Sequence, residues 1–274
     1  MEKVEAGSIQ LDNQAIQLKV FMPSGRMQVL DKVSGVLWAM RSGSYSGSIR
    51  IELEEGEREY SFGRSGAHGL LFTSNYYMLR NSEEEDFHDV SLTGALDGDS
   101  NALVTIRYLL STTFPVLNCF CYAAGPFLER VKKIVFPFGW NIPHREGNRI
   151  LLPKNLEELR SGESRHSFSN LWEPAQGEKH LVAGAPFFVM IRKGQGEKVC
   201  GCIGYMQHPL SLLEIDQDEA GRYASPSSSR LDETGKSEAK PYRFRCQFIP
   251  TDDPEAITWL YREQLLTGEK RMVL

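Results

Sequence analysis

Apolar and polar residues alternate along most of this chain, in short runs broken by glycine, proline and serine. Ala15 to Phe21 (AIQLKVF) has the period of two that sends one side chain into a core and the next into water, which predicts a strand. Arg26 to Leu30 repeats the pattern after Pro23-Ser24-Gly25, and the two together predict a hairpin. Asp31 to Trp38 reads as strand, tight turn and strand, with Gly35 at the turn and Trp38 as a large ring for the interior. Ser48 to Leu53, Ala102 to Leu110, Val116 to Tyr122, Pro186 to Arg192, Val199 to Met206, Leu210 to Ile215 and Tyr242 to Phe248 are further predicted strands, and Leu70 to Leu79 is apolar and aromatic. Between them, Gly56 to Gly69 is glycine-rich, and the acidic Glu83 to Asp86 with His88-Asp89 and the polar Ser161 to Lys179 read as loops. Leu156 to Arg160 predicts one helical turn, and the serine-rich Ala224 to Lys240 predicts a mobile surface loop.

The middle of the chain, Phe127 to Pro153, organises the rest. Leu128, Val131, Ile134, Val135 and Phe136 alternate with charged residues and predict a half-exposed strand that stops at Pro137. Phe136-Pro137-Phe138-Gly139-Trp140 predicts a turn, a polar stretch follows, and another strand begins near Arg149. One helix is predicted, at about 252–266, with Asp252 as cap, Pro254 in the first turn, and Ala256, Ile257, Leu260 and Tyr261 on one face. A dozen or more strands before a single C-terminal helix, with no repeat and no linker, predict one large antiparallel sandwich spanning 1–274.

Composition narrows the function classes. A formal charge of -5 and the absence of any dense basic run give no electrostatic footprint for nucleic acid or an anionic membrane. No apolar run has membrane-spanning length, and the first residues lack the basic-then-apolar pattern of a secretory signal, which points to a cytoplasmic protein or a trimmed chain. Cys119 and Cys121, and Cys200 and Cys202, are pairs two apart in strand-like segments, so each pair faces one way; with Cys246 they read as reduced core residues. Metal sites use wider spacing with a turn, so no metal is expected, and no cofactor motif is found.

Three sets of residues then carry a resemblance. Asp31-Lys-x-Ser-Gly35-x-x-Trp38, Ile134-x-Phe136-Pro137 with Gly147-x-x-Ile150-Leu-Leu-Pro153, and Tyr261-Arg262-x-x-Leu265 with Gly268 resemble the N-terminal β-supersandwich domain of large bacterial glycoside hydrolases. That domain has the galactose-mutarotase-like fold, and the resemblance implies a (β/α)8 catalytic domain as partner outside this chain. Aldose epimerases of the same fold resemble one another at Asn-His-x-Tyr/Phe-x-Asn-Leu, and Arg165-His166-Ser-Phe-Ser-Asn170-Leu171 matches it except at Arg165. His68 is the candidate for their earlier histidine. Ring opening also needs a carboxylate base, and where the resemblance places that glutamate the chain has Arg245-Cys246.

The candidate chemistry is therefore carbohydrate. A sugar offers an apolar ring face and hydroxyls, which suits an aromatic platform beside convergent polar groups. Trp140 with His144 and Arg145, and Trp172 with Glu173, are the two such groupings; each also reads as a core or lid aromatic beside an ordinary turn. Glu173, Glu214 and Asp216 could pair for hydrolysis, but the hydrolytic carboxylates of the resembled family lie in its barrel. The expectation is a non-catalytic, sugar-binding or cleft-shaping domain; the alternatives are an epimerase using His166 and His68, or a scaffold without a ligand.

Overall fold

The alternation builds two antiparallel sheets around one interior. The computed structural model describes residues 7–22, 24–41, 49–54, 56–62, 69–80, 87–96, 99–137, 139–153, 171–174, 180–183, 187–194, 196, 198–206, 211–229 and 242–259. Strands β1 (Ser8–Asp12), β2 (Ile16–Phe21), β3 (Met27–Asp31) and β4 (Leu37–Ala39) pair in chain order as a small sheet. Asp31 closes the β3–β4 turn by accepting the N–H groups of Val33 and Ser34, and Gly35 takes the left-handed conformation there at φ 72°.

The large sheet holds the other described strands. They are β5 (Ile49–Leu53), β6 (Gly56–Phe62), β7 (Gly69–Arg80), β8 (Phe87–Leu96), β9 (Leu103–Ser111), β10 (Val116–Ala124), β11 (Val131–Val135), β12 (Trp140–Pro143), β13 (Arg149–Pro153), β14 (Leu171–Trp172), β15 (His180–Ala183), β16 (Phe187–Lys193), β17 (Val199–Met206), β18 (Ser211–Gln217), β19 (Gly221–Ser229) and β20 (Tyr242–Ile249). The order runs β14-β13-β16-β17-β20-β10-β9-β8-β7-β6-β5-β11-β19-β18-β15, with β12 added to β19. Its described ladders are antiparallel except for a short parallel one between β6 and β7. The main core draws on both sheets: Leu18, Val29 and Trp38 meet Ile51, Leu92, Ile106, Cys119, Ile215, Phe244 and Phe248, all within a few per cent of full burial.

Several sequence expectations are corrected here. Pro126–Arg130 is a 3₁₀ turn, so the strand expected from Phe127 begins only at Val131. Phe87–Leu96, which holds the His88-Asp89 expected as loop, Trp140–Pro143, expected at a turn and polar loop, and Gly221–Ser229, which takes in the start of the loop expected from Ala224, are strands, as is the glycine-rich Gly56–Phe62. Val90 and Leu92 alternate with Asp89, Ser91 and Thr93 in β8, and the charge of Asp89 masked that period because its partner, Arg107, sits on the neighbouring strand. In β19 the serines are interior: Ser225 and Ser227 are at 0% exposure, and Ser225 Oγ accepts the Gly139 N–H at 3.0 Å.

The C-terminal helix is present over 254–259 among the described residues. Asp253, not Asp252, caps it: Asp253 Oδ1 accepts the Glu255 N–H at 2.9 Å. Ala256 is exposed, while Ile257 is buried against Leu151, Phe187, Val189, Ile191, Ile203 and Tyr205, a second cluster on the sheet face turned away from the main core. The acidic run, the predicted turn at 156–160, and residues 260, 261 and 230–240 lie outside the described residues.

Candidate functional site

The turn between β12 and β13 collects most of the polar residues expected to matter. Asn148 fastens it: its side chain donates to Pro143 O at 3.0 Å and accepts the Lys193 N–H at 2.9 Å. On one side, His144 Nε2 meets the Asp218 carbonyl at 2.9 Å. The Asp218 carboxylate in turn closes the β18–β19 turn, accepting from Ala220 N at 2.8 Å, Gly221 N at 3.2 Å and Tyr223 Oη at 3.0 Å. Arg41 completes this group, 3.1 Å from Asp218 Oδ2 with its guanidinium 4.5 Å above the Tyr223 ring. Burial pushes the Asp218 carboxyl up, but the Ala220 N–H, the Tyr223 hydroxyl and Arg41 outweigh it and hold the group below the ordinary aspartate value.

On the other side, Glu173 is clamped by two arginines. Arg149 Nε lies 3.1 Å from one oxygen and Arg222 Nη2 2.9 Å from the other, and Arg222 also donates to Asn148 O. With both oxygens engaged, Glu173 fixes β14 and β19 to the turn. Arg145 lines a cavity with Arg192, Lys193 and Lys198.

The fold separates the other expected residues. Trp140 is at 0% exposure inside the main core, so its indole has no face on which a sugar could stack; the aromatic beside the turn is a core residue. Trp172 pairs with Leu152 in β14 through its backbone, and its ring lies outside the described side chains. His166 and His68 lie outside the described residues. Arg245, standing where an epimerase-like chain would carry its base, is on β20 opposite Asn118 and Tyr205. All five cysteines are free and buried, and burial pushes the Cys119, Cys121, Cys200 and Cys246 thiols up, which makes them inert core residues as expected.

Sequence reading missed a second polar surface. On β8, β9 and β10 the face opposite the main core carries Asp89, Thr93, Thr105, Arg107, Asn118, Phe120 and Tyr122. Phe120 and Tyr122 are half-buried and stacked, their centroids 6.1 Å apart at 13°. Arg107 lies 6.0 and 5.9 Å from these two rings and holds fully buried Asp89 at 2.5 Å, while Thr93 and Thr105 hydroxyls meet at 2.8 Å. The signal was present in the alternate residues of VLNCFCY, where Asn118, Phe120 and Tyr122 share the face that Cys119 and Cys121 do not.

A third charged cluster sits on the other half of the sheet. Glu214, at 0% exposure, pairs with Arg50 and, at 2.7 Å, with Lys133, which also reaches Glu52 at 3.0 Å. Burial alone would lower the Lys133 ammonium, but Glu214 and Glu52 outweigh it and raise it above the usual lysine value. Glu214 is thus a buried carboxylate balanced by two cations. Among the described residues no group of three His, Cys, Asp or Glu could hold a metal ion, and no helix is long and apolar enough to cross a membrane.

This architecture is shared with much larger chains. Over 96% of its length the chain is similar to the α-N-acetylgalactosaminidase NagBb from Bifidobacterium bifidum, at 11% identity and a TM-score of 0.67, and it covers 39% of that chain. It is similar over 97% of its length to an α-mannosidase from Enterococcus faecalis V583, at 8% identity and a TM-score of 0.56, covering 32% of that chain. A GH36 α-galactosidase, AgaA from Geobacillus stearothermophilus, is similar over 89% of this chain and 41% of its own, at 10% identity and a TM-score of 0.50. No protein-family model matches the sequence, and no curated protein matches it. The fold is thus a mainly β sandwich of the kind found as one part of large glycoside hydrolases, as the sequence resemblance anticipates.

Proposed function

We propose that this chain is a non-catalytic, carbohydrate-associated domain that binds sugar or shapes the substrate cleft of a glycoside hydrolase. The observation that carries the reading is one of extent: nearly all of this chain is matched, but only 39% of the α-N-acetylgalactosaminidase chain. A (β/α)8 catalytic domain outside this chain is the partner the reading calls for. With Trp140 buried, the aromatic platform passes to the Phe120–Tyr122 stack, beside which Arg107 lies. His144, Arg145, Trp172 and Glu173 are the alternative contacts.

For an aldose-epimerase reading, Arg245-Cys246 stand where the resemblance places the base. Among the described residues, the carboxylate on the Phe120–Tyr122 face is Asp89, and Arg107 engages both of its oxygens. Two measurements test the reading together. Purified protein is run on a glycan array, and the anomer interconversion of glucose and galactose is followed by polarimetry with His166→Ala as control. Glycan binding that weakens in Tyr122→Ala or Phe120→Ala, without turnover, is the expected result. Interconversion abolished by His166→Ala would overturn it in favour of the epimerase, and neither binding nor turnover would leave a scaffold.

A further inference from the structure

Three turns meet around a cavity of about 320 Å³: the β3–β4 turn at Ser34 to Leu37, the β12–β13 turn at Arg145, and the β16–β17 turn at Arg192 to Lys198. The volume is at the lower end of what small-molecule sites enclose. Among the described residues the side-chain charges lining it are Arg145, Arg192, Lys193 and Lys198, with no carboxylate. In a chain of net charge -5 this concentration runs against the overall balance.

None of the four is neutralised by an ion pair within the described residues. Asp31, in the β3–β4 turn, is at 3% exposure and is engaged by the N–H groups of Val33 and Ser34 and by the Ser34 hydroxyl. Arg192 is the most constrained of the cations. Its Nη1 donates to the Leu37 carbonyl and its guanidinium lies 5.6 Å from the Trp38 ring, while its Nε is buried without a hydrogen-bond partner. Burial, and with it the charge of Arg145, pushes the Arg192 guanidinium below the usual arginine value. Like charges gathered around one cavity are costly, and an oxyanion entering it would relieve the repulsion. The backbone is already fixed for this: Gly194 N–H bonds Lys198 O at 2.7 Å and Lys193 N–H bonds Asn148 Oδ1 at 2.9 Å.

We propose that this cavity is a binding site for an oxyanion, the carboxylate, sulfate or phosphate group of a small molecule or of an acidic saccharide, with Arg192 as the central donor and Arg145, Lys193 and Lys198 around it. The assignment stands apart from the Phe120–Tyr122 surface and does not need that surface to bind sugar.

The test is calorimetric titration of the whole chain with inorganic phosphate, with glucuronate and with neutral galactose, each at ionic strength held constant with chloride so that general screening cancels. Saturable binding of phosphate or glucuronate is expected, with affinity falling by ~10-fold or more in the Arg145→Ala/Lys198→Ala double variant. Both of those side chains are exposed, so the double variant retains the fold. Arg192→Met keeps an apolar stem over Trp38 and is expected to abolish binding. Phosphate binding more tightly than glucuronate would identify a phosphate-bearing ligand, and the reverse order an acidic sugar. The proposal is overturned if neither anion saturates, if galactose competes equally, or if the double variant binds as the parent does.

Discussion

Asp218 shows how much of this molecule rests on single polar residues placed at turns. One carboxylate accepts two backbone N–H groups and a tyrosine hydroxyl and faces Arg41, and its own carbonyl meets His144. Its folded-state value lies below the ordinary 3.8, so its contribution is full above that pH and is lost as the pH falls through the depressed value. The Arg41 and Asp218 side chains are 36% and 39% exposed, and water and salt screen much of the interaction. Asp218→Asn is therefore expected to lower stability at neutral pH by on the order of 1 kcal/mol. Thermal midpoints of parent and variant taken between about pH 6 and about pH 2.5 should converge at the acid end. A gap that stays constant across that range would mean the charge of Asp218 does nothing for the fold.

Strand β17 makes the corresponding point for a whole element. Its sequence, VCGCIGYM, has glycines three apart, which on a strand face opposite ways. A methyl group at Gly201 would come within 2.3 Å of Ile257 Cδ1, and one at Gly204 within 2.7 Å of Phe188 Cζ and 2.8 Å of Phe244 Cε2. The strand is thin on both faces so that the C-terminal helix can dock on one and the stacked Phe188–Phe244 pair can fill the other. Gly201→Ala and Gly204→Ala should each cost about 1–3 kcal/mol by overpacking, measured by urea unfolding. Adding Ile257→Ala should recover part of the Gly201→Ala loss, and strictly additive costs would show that the helix is not what the glycine accommodates. The same element indicates what the sequence made legible. Where period two coincided with β-branched residues, as in Ala102 to Leu110, strands were readable. Where the inward or opposite face was polar, as at Asp89, Ser225 and Ser227, the pattern resembled loop, because the compensating partners lie on other strands and far away in sequence. The site divided likewise: Arg145 and Glu173 were found as polar residues outside the strands, but Trp140 is held inside by pairing with Met40 and Ala224, which lie far from it in sequence.

At the scale of the whole molecule, the order of the strands decides how it unfolds. β10 lies between β9, its neighbour in sequence, and β20, near the end of the chain, while β11 lies between β5 and β19. The small sheet adds Leu18, Val29 and Trp38 to the same core that takes Phe244 and Phe248, with the Trp38 and Phe248 rings 6.1 Å apart. Neither sheet can therefore keep its buried face without the other. Cutting the sequence anywhere in its middle would separate paired strands. Calorimetry is accordingly expected to give one transition whose calorimetric and van't Hoff enthalpies agree. At about 0.7 kcal/mol per residue, the 274 residues would absorb on the order of 190 kcal/mol near 60 °C. Two resolved transitions, or a van't Hoff enthalpy well below the calorimetric one, would show that the small sheet melts by itself and that the shared core does not couple it to the rest. A single transition would mean that damage at a surface turn such as the β18–β19 turn, and at a core position such as Gly204, is reported by the same midpoint.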